Sequence, residues 1–314
     1  MMNEKEPYIV MLVGIPGSGK SMFANTYAMD EANLKIHSSD NLRYELFGDM
    51  EVQDKNGELF KELHRRIKED LRNGINVIYD ATNINKKKRI AFLSELNNIS
   101  CQRICLCIMT PYDICLRNNQ GRERIVPEHV IRDMYMNWQP PYFDEGFDAI
   151  NIAELGIDRS ETSWHINDFI KMASNFDQQN EHHALTLGAH CMMAKQYTER
   201  LYPDNKLLHI AAELHDCGKP FTKTRLNKKH EFDGNYHYYN HHMVGAYDAM
   251  LYMMGDGGYT TLEILYVSNL IYYHMHPYRE WVQSEKNKEK CRNNLGKGMF
   301  DDIMHLHDAD VAAH

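Results

Sequence analysis

A glycine-rich segment near the amino end limits the possible folds more than any other feature of this sequence. Residues 7–14, "PYIVMLVG", form an apolar run that leads into "GIPGSGKS", which spans Gly14 to Ser21 and fits G-x-x-x-x-G-K-[ST]. The residues that follow have helical composition, so the segment predicts a strand, a loop and a helix in succession. Backbone N–H groups cradle nucleotide phosphates in elements arranged in this order.

The loop predicts a nucleoside triphosphate site that includes a magnesium ion. Lys20 would reach the β and γ phosphates, and the Ser21 hydroxyl would bind Mg²⁺. The nucleotide-binding residues predicted in the loop are Gly14, Gly17, Ser18, Gly19, Lys20 and Ser21.

Two further apolar runs extend this pattern along the chain. They are "INVIYDAT" at residues 75–82 and "RICLCIMT" at residues 103–110, with helical stretches between them. Strands that alternate with helices predict a parallel sheet with helices on both faces. The later sequence is almost wholly helical and rich in histidine, and a chain of 314 residues exceeds the usual size of one core. We therefore predict an α/β domain over residues 1–155, a connecting segment over 156–180 and an all-α domain over 181–314.

The composition argues against membrane and secreted proteins. Hydrophobic residues make up 43% of the chain and charged residues 25%, as in ordinary globular proteins. No apolar stretch approaches the ~20 residues of a membrane span. The seven cysteines are an odd number without a CxxC pair, and the first residues show no secretory signal. A cytoplasmic protein without a membrane partner is expected.

The charge pattern restricts how the chain could bind nucleic acid. A net charge of −9 argues against broad coating of nucleic acid, although it permits a local basic channel. The densest basic run, "NKKKR" at residues 85–89, is either a solvated helix face or a contact to nucleic acid. The sequence does not indicate an oligomeric state.

Two carboxylates lie close in sequence to predicted strand ends. "IHSSDNLR" places Asp40 three residues before Arg43, and "VIYDATN" places Asp80 at the end of a strand. Phosphoryl transfer to an alcohol requires a carboxylate that accepts the hydroxyl proton and cations that neutralise the transferred group. Each acidic residue could instead cap a helix or lie in a solvated turn.

Five segments within roughly the first 150 residues resemble the polynucleotide 5′-kinase group of P-loop phosphotransferases. They are "GIPGSGKS", "SDNLR", "DATN", "LRNNQGRERIVPEHVI" and "PPYFDEGFD". The resemblance implies ATP and Mg²⁺ as cofactors, with Lys20 at the ATP phosphates. It implies Asp40 as the general base on a 5′-hydroxyl and Arg43 as a contact to the phosphate on the acceptor's 3′ side. Asp80 would support Mg²⁺ or the nucleotide-binding loop.

The lid segment in this resemblance contains three candidate arginines. Arg117 and Arg124 are the expected contacts to the ATP phosphates, and Arg122 is a third candidate, because guanidinium groups bind phosphate oxygens in pairs. These arginines could instead decorate an exposed helix and loop. Small-molecule kinases share most of the same features, so a small acceptor is an alternative.

Histidine is abundant, with 18 residues, and most of them follow residue 180. They occur in "LTLGAHCMMA", "AAELHDCGKP", "YNHHMVGAY", "IYYHMHPY" and "HLHDADVAAH", which lie in successive helical segments. Imidazoles and carboxylates from several helices are typical of a hydrolytic metal site, whereas a structural zinc site would use cysteines. The candidate ligands are His190, His215, Asp216, His241, His274 and Asp310.

These motifs resemble the HD superfamily of metal-dependent phosphohydrolases over roughly residues 182–314. The adjacent pair in "LHDCGK" follows an apolar helix and precedes a helix end. The residues implied to hold a first metal are His190, His215, Asp216 and Asp310. The residues implied to hold a second metal are His241 and His274, with Asp216 bridging the two ions.

Three ligand assignments stay open because a second candidate stands nearby. The competing pairs are His241 or His242, His274 or His276, and Asp308 or Asp310. Only Asp310 begins the D-x-x-A spacing that the family usually shows. One or two ions are expected, and mixed nitrogen and oxygen donors admit Mn, Ni, Co, Fe, Mg or Zn. Lys219 either neutralises phosphate charge or acts as a helix C-terminal cation.

A broken RNA with a 5′-hydroxyl and a 2′,3′-cyclic or 3′-phosphate would require both predicted chemistries. The chain resembles bacterial proteins that pair an HD module with a polynucleotide kinase module, here with the kinase first. The resemblance implies ATP-dependent phosphorylation of 5′-hydroxyl ends and hydrolysis of 2′,3′-cyclic, 2′- or 3′-phosphate ends, on RNA in preference to DNA. A separate ligase is the expected partner, because the sequence contains no ligase motif.

Two alternatives to this function stay open. One is a small-molecule nucleoside or nucleotide kinase fused to an HD nucleotidase. The other is a kinase whose HD module senses a nucleotide without hydrolysing it, although a sensor has no need to keep every metal ligand.

Overall fold

The chain divides into two units. The computed structural model describes residues 6–29, 31–122, 124–154, 164–179 and 185–313. The ranges of the first unit are Met1–Met134 and Pro141–Ile157, and those of the second are Tyr135–Pro140 and Asp158–His314. The predicted domain limits, 1–155, 156–180 and 181–314, stay a prediction, and part of the connecting segment lies outside the described residues.

A parallel sheet forms the first unit, with its strands in the order β2, β3, β1, β4, β5. The strands are β1 (Tyr8–Val13), β2 (Leu34–Ser38), β3 (Asn76–Asp80), β4 (Gln102–Ile108) and β5 (Ala149–Ala153). The three apolar runs of the sequence correspond to β1, β3 and β4, whose residues are mostly buried. Continuous apolar runs are expected where a parallel sheet is covered on its faces.

Helices connect the strands of the first unit. They are α1 (Lys20–Met29), α2 (Ser39–Phe47), α3 (Asn56–Arg72), α4 (Lys86–Glu95), α5 (Tyr112–Gln120) and α6 (Glu128–Met136), followed by a 3-10 turn at Phe143–Glu145. The last two residues of α6 fall in the range of the second unit. In α3 the buried residues Leu59, Leu63, Ile67 and Leu71 recur every four positions, so they form one apolar stripe.

The start and end of α2 are determined by local sequence. The Ser38 hydroxyl accepts a hydrogen bond from the Asn41 N–H, and Gly48 ends the helix with a φ of 72°. A serine N-cap and a left-handed glycine are favourable because they satisfy backbone groups that the helix leaves without partners. This helix carries Asp40 and Arg43.

The second unit is mostly helical. Its helices are α7 (Ile166–Ser174), α8 (Leu187–Leu201), α9 (Lys206–Leu214), α10 (Lys219–Thr222), α11 (His241–Asp256), α12 (Thr261–Tyr273), α13 (His276–Gln283), α14 (Glu285–Leu295) and α15 (Lys297–Ala312). Most residues of α11 and α12 are buried, as expected for helices that are apolar around their circumference. An antiparallel pair, β6 (Lys223–Leu226) and β7 (Phe232–Tyr238), lies between α10 and α11.

The predicted fold class, a parallel α/β unit followed by a helical unit, is confirmed, and the structure adds the β6–β7 pair. The sequence did not predict this pair, because its strands are short and largely polar. None of the helices in the described residues has the length and hydrophobicity that crossing a bilayer requires.

The basic run at residues 85–89 is partly internal. The Arg89 guanidinium is fully buried and donates to both carboxylate oxygens of Glu145, at 2.6 and 2.7 Å. Lys86 pairs with Asp144 at 2.8 Å. The run is therefore neither a simple solvated face nor, as a whole, available to nucleic acid, since a bidentate buried pair occupies its arginine.

Candidate phosphate site and candidate metal centre

The loop between β1 and α1 has the backbone geometry of an anion-binding turn. Gly17 and Gly19 have φ angles of 83° and 98°, a region that favours glycine. A Cβ atom on Gly17 would lie 2.1 Å from the carbonyl oxygen of Cys115, so a side chain does not fit there. Because α1 begins at Lys20, the N-terminus of this helix follows the loop directly.

The two polar side chains at the start of α1 are held by contacts within the first unit. Lys20 Nζ donates to the Ile15 carbonyl oxygen at 2.8 Å. Burial lowers the pKa of Lys20 to about 8, although the Asp80 carboxylate opposes this shift. The Ser21 hydroxyl donates to Asp80 Oδ2 at 2.8 Å. A hydroxyl and a carboxylate in contact at the carboxyl end of β3 are suitable supports for Mg²⁺.

Two residues outside the loop, neither of them predicted from the sequence, donate hydrogen bonds to its backbone. Asn118 Nδ2 donates to the Gly17 carbonyl oxygen at 3.0 Å, and Thr110 Oγ1 donates to the Ser18 carbonyl oxygen at 3.0 Å. Turning these carbonyls toward side-chain donors helps the loop to present N–H groups to an anion. Asn118 lies inside the quoted segment "LRNNQGRER", where only the arginines were considered.

The Asp40 carboxylate lies among three arginines. Its Oδ1 accepts hydrogen bonds from Arg43 at 2.9 Å and from Arg124 at 2.6 Å. The Arg122 guanidinium lies 3.8 Å from Oδ2. Asp40 and Arg43 share one face of α2, whereas the other two arginines come from the segment after α5. The structure thus gathers four of the sequence-predicted residues at one place.

Arg117 lies apart from this group. It is on α5, its side chain is 66% exposed, and its guanidinium is 3.9 Å from Asp113 one helical turn earlier. The role predicted for Arg117 at the ATP phosphates stays a prediction.

Arg43 is buried and incompletely satisfied. One terminal nitrogen donates to Asp40 and the other donates to the Asn56 side chain at 2.8 Å. Its buried Nε has no hydrogen-bond partner among the described residues. Because a buried unpaired donor is costly, this nitrogen is a candidate contact for a bound anion.

In the second unit, six side chains form two groups that could each hold a metal ion. In each group the ligand atoms lie within 4.8 Å of one another, and all six residues are buried. The first group is His190, His215 and Asp310, and the second is Asp216, His241 and His274. The groups come from α8, the end of α9, α11, the end of α12 and α15, so packing of separate helices assembles them.

All four histidines direct Nδ1 to a backbone carbonyl oxygen and Nε2 to the cluster. The accepting carbonyls belong to Ala313, Ala212, Tyr238 and Ile271, at distances of 3.3, 2.8, 2.7 and 2.6 Å. A carbonyl can only accept, so each Nδ1 carries the proton and each neutral Nε2 presents a lone pair. This tautomer is the one that binds metal ions through Nε2.

The facing Nε2 atoms fit a cation between them. Those of His190 and His215 are 3.1 Å apart, and those of His241 and His274 are 3.2 Å apart. Two neutral rings would place lone pairs against each other, so a proton or a metal ion must lie between them. Although burial opposes the shift, the Asp216 and Asp310 carboxylates raise the pKa of His215 well above its usual value. The donor set therefore favours positive charge at this point and fits a divalent metal.

Asp216 joins the two groups. Its Oδ2 lies 3.4 Å from both His190 Nε2 and His215 Nε2, and its Oδ1 lies 3.2 Å from His241 Nε2. Lys219 Nζ also contacts Oδ2, at 2.6 Å. One carboxylate with an oxygen in each group is the arrangement that a bridging ligand requires.

Two further contacts complete the surroundings of the candidate centre. The Tyr278 hydroxyl donates to Asp310 Oδ2 at 2.9 Å, leaving Oδ1 to face the histidines. A Cβ on Gly218 would lie 2.1 Å from the His241 carbonyl oxygen, so the glycine after the His-Asp pair permits close approach of α11. Tyr278 is the last residue of the quoted segment "IYYHMHPY", in which only the histidines were considered.

The competing ligand candidates belong to neither group, although the centre of the His242 ring lies 5.8 Å from that of His241 and 6.2 Å from that of His274. Asp308 is exposed on α15. His276 Nε2 lies 3.5 Å from Glu280. His242 is buried, but its Nδ1 has no partner within the described part of the chain, and burial lowers its pKa well below the usual value. The geometry therefore supports His241, His274 and Asp310, and their role as ligands stays a prediction.

Known protein families match both units. Residues 9–141 match the family described as AAA domain (AAA_33), and residues 182–301 match the family described as HD domain. These matches identify a P-loop kinase domain in the first unit and an HD domain in the second. Each match covers less than half of the chain, and the AAA match comes first.

The similarity to individual relatives is distant. The L-seryl-tRNA(Sec) kinase of Methanococcus maripaludis is 25% identical over 180 residues, which cover 53% of this chain and 66% of that protein, slightly less than two thirds. A chain in the structure of the Pnkp1/Rnl/Hen1 RNA repair complex is 22% identical, with a TM-score of 0.36, and covers 43% of this chain and 45% of its own length. A fungal RNA kinase is 16% identical, with a TM-score of 0.37, over 50% of this chain and 78% of its own length.

Proposed function

We propose that this protein heals nucleic-acid ends. The first unit transfers the γ-phosphate of ATP to a 5′-hydroxyl, and the second hydrolyses 2′,3′-cyclic, 2′- or 3′-phosphate ends. The observation that carries the proposal is the grouping of Asp40 with Arg43, Arg122 and Arg124 in the unit that contains the phosphate loop. The relative named as an L-seryl-tRNA(Sec) kinase supports an acceptor hydroxyl attached to RNA.

Asp40 accepts the proton of the attacking hydroxyl. Its Oδ1 already accepts two guanidinium hydrogen bonds, whereas Oδ2 is 3.8 Å from Arg122 and beyond hydrogen-bonding distance. Oδ2 is therefore the oxygen that faces the acceptor. Lys20 exchanges its loop contacts for the β and γ phosphates, and the arginines neutralise charge on the transferred group.

The acceptor side offers a cation and an open space. The Arg43 Nε, which has no partner among the described residues, binds the phosphate on the 3′ side of the attacking hydroxyl. A cavity of about 450 Å³, lined in part by Tyr44, Met50, Arg124 and Ile125, provides room for the nucleoside. Exposed aromatic and aliphatic side chains are suitable contacts for a base.

In the second unit, the six clustered side chains would hold one or two divalent ions. When bound, such ions act as Lewis acids on a phosphoryl group and lower the pKa of bound water. The backbone carbonyls keep the imidazoles in the metal-binding tautomer, and Tyr278 orients Asp310. Lys219 places an ammonium group beside Asp216, where it neutralises charge on a phosphate.

The cellular setting follows from the same chemistry. The seven cysteines are free thiols, which supports a reducing compartment and therefore a cytoplasmic location. The substrates are the two ends of a cleaved strand, RNA in preference to DNA. A separate ligase joins the healed ends.

A second candidate is phosphorylation of a hydroxyl that is not a 5′ end. The sequence similarity to L-seryl-tRNA(Sec) kinase favours this candidate, because the name of that relative indicates a seryl group on tRNA as the acceptor. If the acceptor is a free nucleoside, the alternative is a small-molecule kinase joined to an HD nucleotidase. The clustering of all six candidate ligands disfavours a purely sensory HD domain.

One acceptor panel tests the kinase proposal. Wild-type protein is incubated with γ-labelled ATP and, separately, a 5′-hydroxyl oligoribonucleotide, free nucleosides and seryl-tRNA. Label in the oligoribonucleotide that is lost with Asp40→Asn and kept with the exposed-carboxylate control Asp54→Asn supports the proposal. Label confined to nucleosides or to seryl-tRNA overturns it in favour of the corresponding alternative.

A second panel tests hydrolysis. Oligonucleotides that end in a 2′,3′-cyclic, 2′- or 3′-phosphate are incubated with protein stripped of metal and then supplied with Mn²⁺, Ni²⁺ or Co²⁺. Release of phosphate, or opening of the cyclic end, supports the proposal. No product from any of the three ends with any ion overturns the hydrolase assignment.

A further inference from the structure

A basic and aromatic hairpin precedes the metal-centre helix α11. The hairpin consists of residues 223–239 and contains β6, β7 and the turn between them. It carries four lysine or arginine residues against two acidic residues, in a chain whose net charge is −9. Arg225, Lys228 and Lys229 are exposed. The hairpin is thus a local basic surface on an acidic protein.

The hairpin also exposes apolar and aromatic groups. Phe232 is 65% exposed and Leu226 is 45% exposed, and the two residues face each other in the strand pair. An exposed ring offers a face on which a nucleic-acid base can stack, and nearby lysines can contact the phosphates of the same strand. The turn between these two residues contains Lys228 and Lys229.

Cations and rings alternate along the rest of the hairpin. Lys223 Nζ lies 4.4 Å from the centre of the Tyr236 ring, and Arg225 lies 5.3 Å from the same ring. Lys228 Nζ lies 5.7 Å from the Tyr239 ring. These contacts hold each cation near a ring. The hairpin therefore has groups that bind phosphates next to groups that stack on bases.

The inner end of the hairpin is joined to the candidate metal centre. The Tyr238 carbonyl oxygen, at the end of β7, accepts the hydrogen bond from His241 Nδ1 at 2.7 Å. Lys219 Nζ, which contacts Asp216, lies 5.6 Å from the centre of the Tyr238 ring. Phe232 lies six residues before Tyr238 on β7, which corresponds to about 20 Å of extended strand at ~3.3 Å per residue. The strand that leads to the centre therefore has the length of several nucleotides.

We propose that this hairpin binds the single strand whose phosphorylated end enters the HD centre. Lys228 and Lys229 contact the strand's phosphates, and Phe232 stacks on a base several nucleotides from the end. Stacking and phosphate contacts do not depend on sequence, which suits an enzyme that must treat any broken end. This role of the hairpin rests on the proposed hydrolysis of nucleic-acid ends. The nucleotides that precede the phosphorylated end would supply the affinity of the substrate for the enzyme.

The test compares long and short substrates of the same hydrolytic reaction. The full chain, loaded with metal, is assayed on a single-stranded oligonucleotide ending in a 2′,3′-cyclic phosphate and on a 2′,3′-cyclic mononucleotide. The variants are Phe232→Ala and the double variant Lys228→Ala with Lys229→Ala. The matched control is Lys286→Ala with Lys290→Ala, which removes the same charge from the exposed helix α14.

The hairpin variants should lose activity only on the strand. Phe232→Ala should lower kcat/KM for the oligonucleotide by about 5- to 100-fold and leave kcat/KM for the mononucleotide unchanged. The Lys228 and Lys229 double variant should bind a 3′-phosphorylated single strand more weakly. Its slope of log affinity against log salt should fall by about 0.7 for each lysine removed. RNA and DNA strands in parallel assays show whether the hairpin distinguishes the sugar.

Failure of this inference differs from failure of the proposed function. If wild-type protein hydrolyses both substrates and the hairpin variants match the control on both, the hairpin is not a strand-binding element. Equal losses on both substrates also overturn the inference, because they indicate damage to the metal centre. If wild-type protein hydrolyses mononucleotides but no oligonucleotide end, the proposed end-healing function itself is wrong.

Discussion

The Nε2 atoms of His190 and His215 lie 3.1 Å apart, and the Nδ1 of each ring is directed to a backbone carbonyl oxygen. Two neutral rings in this tautomer present lone pairs to each other, so a bound cation should stabilise the second unit. We expect elemental analysis to find one to two divalent metals per chain. Chelation should lower the midpoint of thermal unfolding and abolish phosphate release.

The kinase serves as the internal control for this experiment. After chelation and addition of Mg²⁺, ATP-dependent labelling should return to its original level, because Ser21 and Asp80 belong to the other unit. Unchanged hydrolysis by protein shown to be free of metal would contradict the metal-centre assignment.

Asp310 and Asp308 provide a matched pair two residues apart on α15. Asp310 Oδ1 lies 3.1 Å from His190 Nε2, whereas Asp308 is exposed. Asp310→Asn should reduce the metal content and lower hydrolysis by at least ~100-fold, while Asp308→Asn should change neither substantially. Metal content and turnover are measured on both variants. Loss of metal only with Asp308→Asn would show that the other ligand assignment is correct.

Asp40 is expected to act in the chemical step and not in ATP binding. Asp40→Asn keeps hydrogen bonds to the arginines possible but removes the base, so kcat should fall by about 10²- to 10⁴-fold with a small change in the KM for ATP. Lys20→Ala should lose labelling completely. Both variants should keep full phosphate release. Near-normal kcat in Asp40→Asn would exclude this carboxylate as the general base.

Asp248 should make the stability of the second unit depend on pH. Burial raises its pKa to about 7, against roughly 3.9 in an unfolded chain, and the Tyr135 hydroxyl donates to it. Between these values the folded protein holds a proton that the unfolded chain has released. The free energy of unfolding therefore falls as the pH rises through this window.

Asp248→Asn should remove most of this dependence. The loss of unfolding free energy between about pH 5 and pH 8 should shrink by roughly 2–3 kcal/mol. Tryptophan fluorescence during urea unfolding reports on this unit, because Trp138, Trp164 and Trp281 all belong to it. An identical pH profile in the variant would show that Asp248 does not titrate in this range.

The buried pair of Arg89 and Glu145 should be costly to break. Glu145→Gln leaves the fully buried guanidinium without a counter-charge, so the first unit should lose about 3–5 kcal/mol of stability. Glu69→Gln, which removes a largely exposed partner of Arg65, should cost less than about 1 kcal/mol. Thermal midpoints from circular dichroism and from kinase inactivation measure both changes. Equal losses of stability in the two variants would show that burial of the Arg89–Glu145 pair does not determine the cost of breaking it.

The phosphate loop and the central strands could be predicted because their determinants are contiguous. A glycine pattern imposes its own backbone geometry, and apolar runs become buried strands wherever the sheet lies. The loop therefore follows β1 as expected, with left-handed Gly17 and Gly19. The six histidine and aspartate candidates were also selected from the sequence, by the motifs in which they occur. Their distances from one another depend on how the helices pack and cannot be read from the sequence.

Packing decided which side chains meet and which do not. Arg122 and Arg124 lie beside Asp40, whereas Arg117, selected on equal grounds, lies at the surface. Three arginines within eight residues cannot be distinguished by residue type or by spacing. Their separation depends on where α5 ends and on the path of the segment after it, which long-range contacts determine.

The same reason accounts for features that the sequence did not reveal. Tyr278 meets Asp310 from 32 residues away, and Tyr135 meets Asp248 from 113 residues away. Short polar strands such as β6 and β7 give weak local signals, because their pairing depends on the partner strand more than on intrinsic preference. The sequence by itself determined the phosphate loop and the strands around it, because their motifs are contiguous and set their own backbone geometry. Only the tertiary structure decided how distant side chains combine, because the free energy of burying and pairing them exists only once the helices have packed.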